Sequence, residues 1–174
     1  MNTEQFFEKF FEGDRCKYET FELDDNLIIE KKDQFEQIQP FIGLISFINP
    51  SHRIIFKKVN LVGVEIDNPA IGLEFNNYLS ISQLDISKIN VKCVYFVNCK
   101  LLPPDFTITF NNIVIDNTEL LGVMNIKTNS ITFLNNNSIF GSVIISGNVI
   151  ILNPIKISDI HTQRENIEGK LIIQ

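Results

Sequence analysis

The sequence predicts a mainly β protein, a parallel β-solenoid of about five turns that follows an N-terminal α/β cap. Three observations support this fold class. A five-residue period of apolar residues runs through the middle of the chain, apolar and polar residues alternate within each period, and a phenylalanine-rich amphipathic segment opens the chain. The length of 174 residues and the apolar fraction of 44% are sufficient for one domain with a buried core. An α+β fold built on a β-sandwich is the alternative.

The period is clearest between Val59 and Ile108, where the chain divides into ten pentads. A solenoid turn cannot bury its own apolar side, so each turn must stack on its neighbours. The third place of the pentad is apolar throughout except at Asn76. These third places are Leu61, Ile66, Ile71, Asn76, Ile81, Ile86, Val91, Phe96, Leu101 and Phe106.

Alternation within the pentads indicates strands. Places one and three are mostly apolar with a polar residue between them, so each pentad also requires a corner. The phase slips near Phe110 and returns at Phe140, Ile145, Ile150, Ile155 and Ile160. Between residues 106 and 155 the polar positions are almost all Asn, Ser or Thr, and we predict that these side chains stack in ladders on adjacent coils.

The first residues predict a helix from Thr3 to Glu12. Its four phenylalanines fall on one arc and its glutamates recur every four residues on the other. Asn2 or Thr3 can cap the start, and Gly13 suits the position after the end. Because the first coil of a solenoid leaves an apolar end, we expect this helix to cover it.

Two strands, Lys17 to Leu23 and Leu27 to Ile29, are predicted around the turn Asp24-Asp25-Asn26. A second, buried helix is predicted after Pro40, where Phe41, Leu44, Ile45 and Ile48 follow helical spacing; a strand is the alternative there. The cap then covers residues 1–52 and the solenoid residues 53–162. Residues 163–174 form a tail or a strand, in which Lys170 to Ile173 could pair with another copy.

The pentads resemble those of the pentapeptide-repeat proteins. The degenerate copies are Cys99-Lys100-Leu101, Val59-Asn60-Leu61, Leu84-Asp85-Ile86, Ile89-Asn90-Val91 and Pro104-Asp105-Phe106. The resemblance implies a right-handed parallel β-helix in which four pentads make one square turn. It also implies one candidate function, since some members imitate duplex DNA and bind topoisomerase. First places such as Leu79, Leu84 and Ile89 are larger than the family prefers, which favours a wider or irregular coil.

The net charge of −6 is confined to one end of the chain. Residues 1–40 hold eleven acids and five bases, whereas residues 41–174 hold ten of each. Such a field attracts basic proteins and repels nucleic acid and membranes. The partner-binding residues predicted from it are Glu22, Asp24, Asp25, Glu30 and Asp33 around the turn, followed by Glu4, Glu8 and Glu12.

No motif predicts catalysis, a cofactor or a metal. His52 and His161 are far apart, and no CxxC, HExxH or glycine-rich phosphate loop occurs. The carboxylates Glu65, Asp67 and Asp85 would be the candidates for a sugar-cleaving β-helix, and a solvated face is the favoured interpretation. Three scattered cysteines, no secretory signal and no apolar stretch of membrane-spanning length predict a cytoplasmic protein.

These observations predict a non-catalytic binding protein that neutralises a basic macromolecular partner. By class alone it resembles the immunity proteins of bacterial toxin systems, many of whose toxins are basic nucleases. The alternatives are the topoisomerase-binding DNA mimic and a structural solenoid that forms a homodimer through its end.

Overall fold

The computed structural model describes residues 1–11, 20–79, 86–102, 107–161 and 166–174. It confirms the predicted fold class: a mainly β chain forms a parallel solenoid of about five turns behind a short N-terminal helix. The helices are α1 (Thr3–Phe10) and α2 (Lys32–Ile38), and short 3₁₀ segments lie at Gln39–Leu44 and Ile86–Lys88. The strands are β1 (Phe21–Leu23), β2 (Leu27–Ile29), β3 (Ile45–Phe47), β4 (Ile54–Lys57), β5 (Ile66–Asn76), β6 (Ile89–Val97), β7 (Lys100–Leu101), β8 (Thr107–Asp116), β9 (Glu119–Phe133), β10 (Ser138–Ile151), β11 (Lys156–Ser158), β12 (Ile160–His161), β13 (Asn166–Ile167) and β14 (Lys170–Ile173).

One ten-stranded parallel sheet forms the solenoid, in the order β11-β10-β9-β8-β6-β5-β4-β2, with β14 also on β10 and β7 on β9. A single inward column shows the stacking of its layers. The column consists of Phe56, Phe75, Phe96, Ile115, Phe133 and Ile151, each paired with the next. Successive members are 18 to 21 residues apart, as their numbers show, whereas four pentads would give a constant 20.

The five-residue period therefore predicts which residues are buried better than it predicts the number of residues in each coil. Among the third places that the structure describes, Leu61, Ile66, Val91, Phe96 and Leu101 are all buried. In the last coil the predicted beat is correct at Ile145, which is buried, and wrong at Ile150, which is 47% exposed. Ile139 and Val143, which lie outside the beat, are buried instead. The register between β9 and β10 shifts between Ser146 and Asn148, so residues beyond this corner no longer follow the earlier count.

Left-handed residues mark the same corner in five successive coils. Lys58, Asn77, Asn98, Asn117 and Asn136 have φ between 46° and 61° and follow one another at 19 or 21 residues. Asparagine tolerates this backbone conformation better than most residues with a Cβ. The predicted ladders are present here, since Asn117 Nδ2 donates to Asn98 Oδ1 over 2.6 Å and Asn153 Nδ2 to Asn135 Oδ1 over 3.0 Å.

The residue after each left-handed corner points into the core. Its side chain is Val59, Tyr78, Cys99, Thr118 or Asn137 in successive coils, and all five are buried. Tyr78 Oη donates to the Val59 carbonyl over 2.6 Å, and Asn137 Oδ1 accepts from the Thr118 N–H over 3.0 Å. These bonds satisfy polar groups that would otherwise be costly inside the solenoid.

The N-terminal helix covers the first coil as predicted. Asn2 Oδ1 accepts from the Gln5 N–H over 2.9 Å, and Gln5 Oε1 accepts from the Asn2 N–H over 2.8 Å, which completes a capping box. Phe6 is fully buried, with its ring centroid 5.5 Å from that of Phe21. Phe11 in turn lies 5.0 Å from Phe41, so α1 joins an aromatic cluster with the rest of the cap. The predicted end of the helix, Glu12 and Gly13, lies outside the described residues.

One prediction for the cap needs correction, whereas the two strands predicted around the Asp24 turn are present as β1 and β2. The helix predicted from Phe41 to Ile48 is wrong: α2 ends earlier, a 3₁₀ segment follows, and β3 realises the strand alternative at Ile45–Phe47. The segment forms a strand because apolar and polar residues alternate in it. Ile45 is buried and pairs with Phe21 of β1. The strands on either side of the Asp24 turn belong to different sheets, as β1 pairs with β3 and β2 with β4. Residues 17–19 of the first predicted strand lie outside the described residues.

Of the tail and the strand left open for the C-terminus, the structure forms the strand, β14, and this strand pairs within the chain. β14 lies parallel to Ser142–Ile145 of β10, and β11 lies parallel to Ser138–Phe140 of the same strand. None of the described helices has the length and apolar character needed to cross a membrane.

Candidate functional site

The predicted partner-binding carboxylates lie on the surface of the cap. We call the seven that the structure describes the acidic cap set: Glu4, Glu8, Glu22, Asp24, Asp25, Glu30 and Asp33, all of them exposed. The eighth predicted residue, Glu12, lies outside the described residues. The set divides into carboxylates that are bound to cations of the same chain and carboxylates that are not.

Three members of the set hold the cap together. Asp24 Oδ1 accepts from Lys9 Nζ over 2.8 Å, which fastens the turn to α1. Asp25 Oδ2 accepts from the N-terminal amine over 2.8 Å, and Glu30 Oε1 accepts from Lys57 Nζ over 3.0 Å. The Lys9 hydrogen bond lowers the pKa of Asp24, and the bond from the N-terminal amine lowers that of Asp25. These three residues therefore have a structural role besides their charge.

The other four members, Glu4, Glu8, Glu22 and Asp33, form no ion pair within the described residues. Glu4 and Glu8 are one helical turn apart on α1, and Glu22 is the exposed residue of β1 between two buried neighbours. A basic partner could approach these carboxylates without displacing a cation from the described part of the chain.

A buried ion pair on the solenoid was missed by the sequence reasoning. Arg53 Nε donates to Glu74 Oε2 over 2.7 Å, and the Glu74 side chain is only 5% exposed. The ring of Tyr95 lies against the guanidinium, with its centroid 4.0 Å from Arg53 Cζ. Asn76 Nδ2 donates to the second carboxylate oxygen over 2.7 Å, so both oxygens of Glu74 are bonded. The one available signal was a glutamate in the first place of a pentad, where apolar residues predominate.

A small cavity of about 130 Å³ lies beside this ion pair. Phe47, His52, Gly72, Cys93 and Tyr95 are among its lining residues, and the buried Nδ1 atom of His52 has no hydrogen-bond partner among the described residues. Burial raises the pKa of the Cys93 thiol. A thiol that stays protonated at neutral pH is a weak nucleophile, so this cavity gives Cys93 no activation for covalent catalysis.

A larger open cleft of about 520 Å³ lies where β6 and β8 part. These strands pair only from Val94 and Ile113 onwards, so Ile89–Val91 and Thr107–Phe110 are left apart. Lys127 is the one charged side chain among the described residues that line the cleft. The pair of carboxylates used by glycoside hydrolases is therefore not found in that lining.

The other carboxylates considered from the sequence lie on the surface or outside the described residues. Asp67 Oδ1 accepts from Asn90 Nδ2 over 2.8 Å, Glu65 is exposed, and Asp85 lies outside the described residues. The hydroxyl of Ser51 donates to Asn49 Oδ1 instead of His52. No group of three or more His, Cys, Asp or Glu side chains able to hold a metal ion occurs in the described ranges.

A row of free acids along the solenoid, which imitation of duplex DNA would need, is also not found in the described coils. Glu74 is buried against Arg53, and Glu119 Oε2 lies 3.3 Å from Lys100 Nζ. Asp116 Oδ1 accepts from the Asn135 backbone N–H over 3.0 Å.

Comparison with known proteins gives no match: no family model, curated protein or solved structure is similar to this chain. The structure shows the repeat β-solenoid that the resemblance to pentapeptide-repeat proteins implies, and no comparison shows membership of that family.

Proposed function

We propose that this protein is a non-catalytic binding protein whose acidic cap captures a basic protein partner. The observation that carries the proposal is the set of four exposed carboxylates, Glu4, Glu8, Glu22 and Asp33, without an intramolecular cation in the described residues. They belong to the first forty residues of the sequence, which hold the whole net charge.

Electrostatic physics favours such a surface for fast association. Charges concentrated at one end steer an oppositely charged protein during its approach, which raises the association rate more than the final affinity. The four carboxylates without an ion pair in the described residues contribute most directly, because a partner that binds them breaks no ion pair seen in those residues. The remainder of the solenoid is electrically balanced and would not attract the partner to a competing surface.

Within this class of partner we propose a bacterial toxin domain, with a basic nuclease foremost, so that the protein would act as an immunity protein. An acidic inhibitor can cover the basic surface with which a nuclease binds nucleic acid. The small size and the confinement of the negative charge to the cap support this assignment.

Affinity capture from the native cells at low salt tests the proposal. The tagged wild-type protein is compared with a Glu22→Gln/Asp33→Asn variant, and bound proteins are identified by mass spectrometry. We expect one basic protein to be recovered by the wild type and strongly depleted for the cap variant.

A matched control removes the same amount of charge elsewhere. Glu65 and Glu168 are exposed, lie outside the cap and form no ion pair within the described residues. A Glu65→Gln/Glu168→Gln variant should recover the partner like the wild type. Equal recovery by all three proteins would contradict capture through the cap.

A further inference from the structure

The core of the solenoid is exposed at its C-terminal end. In three inward columns a buried residue is followed by a last residue that is open to solvent. Phe133, Ile139 and Ile145 are 0% exposed, whereas their stacking partners Ile151, Ile157 and Ile173 are 46%, 44% and 55% exposed. The other end of the core is covered by the Phe-rich cap. We call Ile151, Ile157 and Ile173 the terminal apolar triad.

The backbone of the last layer is open as well. Asn148–Ile151, β11 and β14 are each hydrogen-bonded to a neighbouring strand on one side only within the described residues. Unpaired edges of this kind act as templates for additional strands unless charge, proline or a covering element blocks them. The segment Asn148–Leu152 has neither charge nor proline, and Leu152 adds a 61% exposed side chain.

The distribution of charge favours a second copy as the occupant of this end. The Asn148–Leu152 segment carries no charge, so the segments of two copies can pair without placing like charges opposite each other, which would be destabilising. In a tail-to-tail arrangement the acidic caps point away from each other. With about five turns per chain at roughly 4.8 Å per layer, the caps would be on the order of 50 Å apart, several times the Debye length of about 8 Å at physiological salt.

We propose that the C-terminal end of the solenoid binds a second copy of this chain, tail to tail about a two-fold axis. Each copy covers the terminal apolar triad of the other, and the uncharged Asn148–Leu152 edges of the two copies meet across the axis. An isologous contact of this kind is closed, so assembly stops at two copies. The acidic cap remains free at both ends of the dimer for the partner proposed above.

Sedimentation equilibrium over a range of protein concentrations tests the proposal. We expect the wild-type mass to rise with concentration from 20.0 kDa to about 40 kDa, twice the chain mass, and to stop there. Ile151→Lys/Ile157→Lys should stay at the mass of one chain at every concentration. Both side chains are already substantially exposed, so this variant should retain the wild-type circular dichroism spectrum.

The matched control is Val62→Lys, which adds a lysine at a 61% exposed apolar residue outside the terminal layer and should dimerise like the wild type. Ile173→Lys provides a second, independent disruption of the triad. A wild type that remains at 20.0 kDa throughout, or a triad variant that still doubles its mass, would overturn the proposal. Growth well beyond two copies would refute the closed two-fold arrangement.

Discussion

The side-chain amide of Asn117 donates a hydrogen bond to Oδ1 of Asn98 over 2.6 Å, and so joins the left-handed corners of two successive coils. Asn117 has φ 46° and Asn98 φ 55°, a conformation in which a β-branched residue is strongly disfavoured. We expect Asn117→Val to lower the free energy of unfolding by about 1–2 kcal/mol. Asn117→Gly should cost less, because glycine accepts the backbone and loses only the ladder bond. Urea denaturation of both variants measures the difference, and an equal cost would show that the corner conformation is unimportant.

Removing one residue of the Arg53–Glu74 ion pair should destabilise the protein more than removing both. Arg53→Met leaves a carboxylate that is 5% exposed without its cation, and we expect a loss of about 3 kcal/mol. Replacing both residues, as Arg53→Met/Glu74→Leu, should recover much of the lost stability, since no buried charge remains. A double-mutant cycle by urea denaturation checks this expectation. A double variant less stable than Arg53→Met alone would contradict it.

Buried Cys99 should make the protein sensitive to alkali. Burial raises the pKa of this thiol from its ordinary value of 9.0 to about 11, so the unfolded chain loses the proton at lower pH than the folded chain. The resulting stability is fully present below pH 9.0 and is lost as the pH rises through 11. Two pKa units correspond to about 2–3 kcal/mol. Burial raises the pKa of Tyr78 too, which extends the effect to higher pH.

Thermal unfolding between pH 8 and pH 11 measures how steeply the stability falls with pH. Cys99→Ala should remove the part of this fall that is due to the thiol. A Cys16→Ser/Cys93→Ser variant, which keeps Cys99 alone, should react with a disulfide reagent much more slowly when folded than in urea. Rapid labelling of the folded variant would show that Cys99 is accessible.

Asp25 should make a small contribution to stability that is lost in acid rather than in alkali. Its contact with the N-terminal amine lowers its pKa below the ordinary value of 3.8. The stability it contributes is present above pH 3.8 and is lost as the pH falls through the lowered pKa. Because the carboxylate is exposed, we expect Asp25→Asn to cost at most about 1 kcal/mol at neutral pH. Acid unfolding curves of the wild type and the variant should converge at low pH, and curves that stay apart would contradict this role.

The solenoid could be predicted from the sequence because its signals are local. Alternation and apolar spacing identify strands such as Ile89–Val97 without knowledge of the pairing register. They also predict that Leu61, Phe96 and Leu101 are buried, as the structure shows. The coil length could not be predicted in the same way. Corners take different numbers of residues, so the offset is 19 between Phe56 and Phe75 but 21 between Phe75 and Phe96. The asparagines at positive φ follow this irregular spacing, which a constant five-residue count conceals.

For the candidate site, the sequence identified the acids but not their partners. The exposed position of Glu22 follows from strand alternation, whereas the bond between Asp24 and Lys9 depends on how α1 packs against the turn. The Arg53–Glu74 pair likewise depends on the stacking of β4 and β5. Long-range register decides these contacts, and no local pattern encodes it.

The most direct test of binding through the cap is the association rate of the captured partner with purified wild type and with a Glu22→Lys/Asp33→Lys variant, at low and at high salt. These two residues form no ion pair in the described chain, so the change of charge leaves the internal contacts of Asp24 and Asp25 intact. Charge steering predicts an association rate at low salt that is about tenfold slower for the variant, with the difference shrinking at high salt. Equal association rates at low salt would contradict the proposed role of the acidic cap.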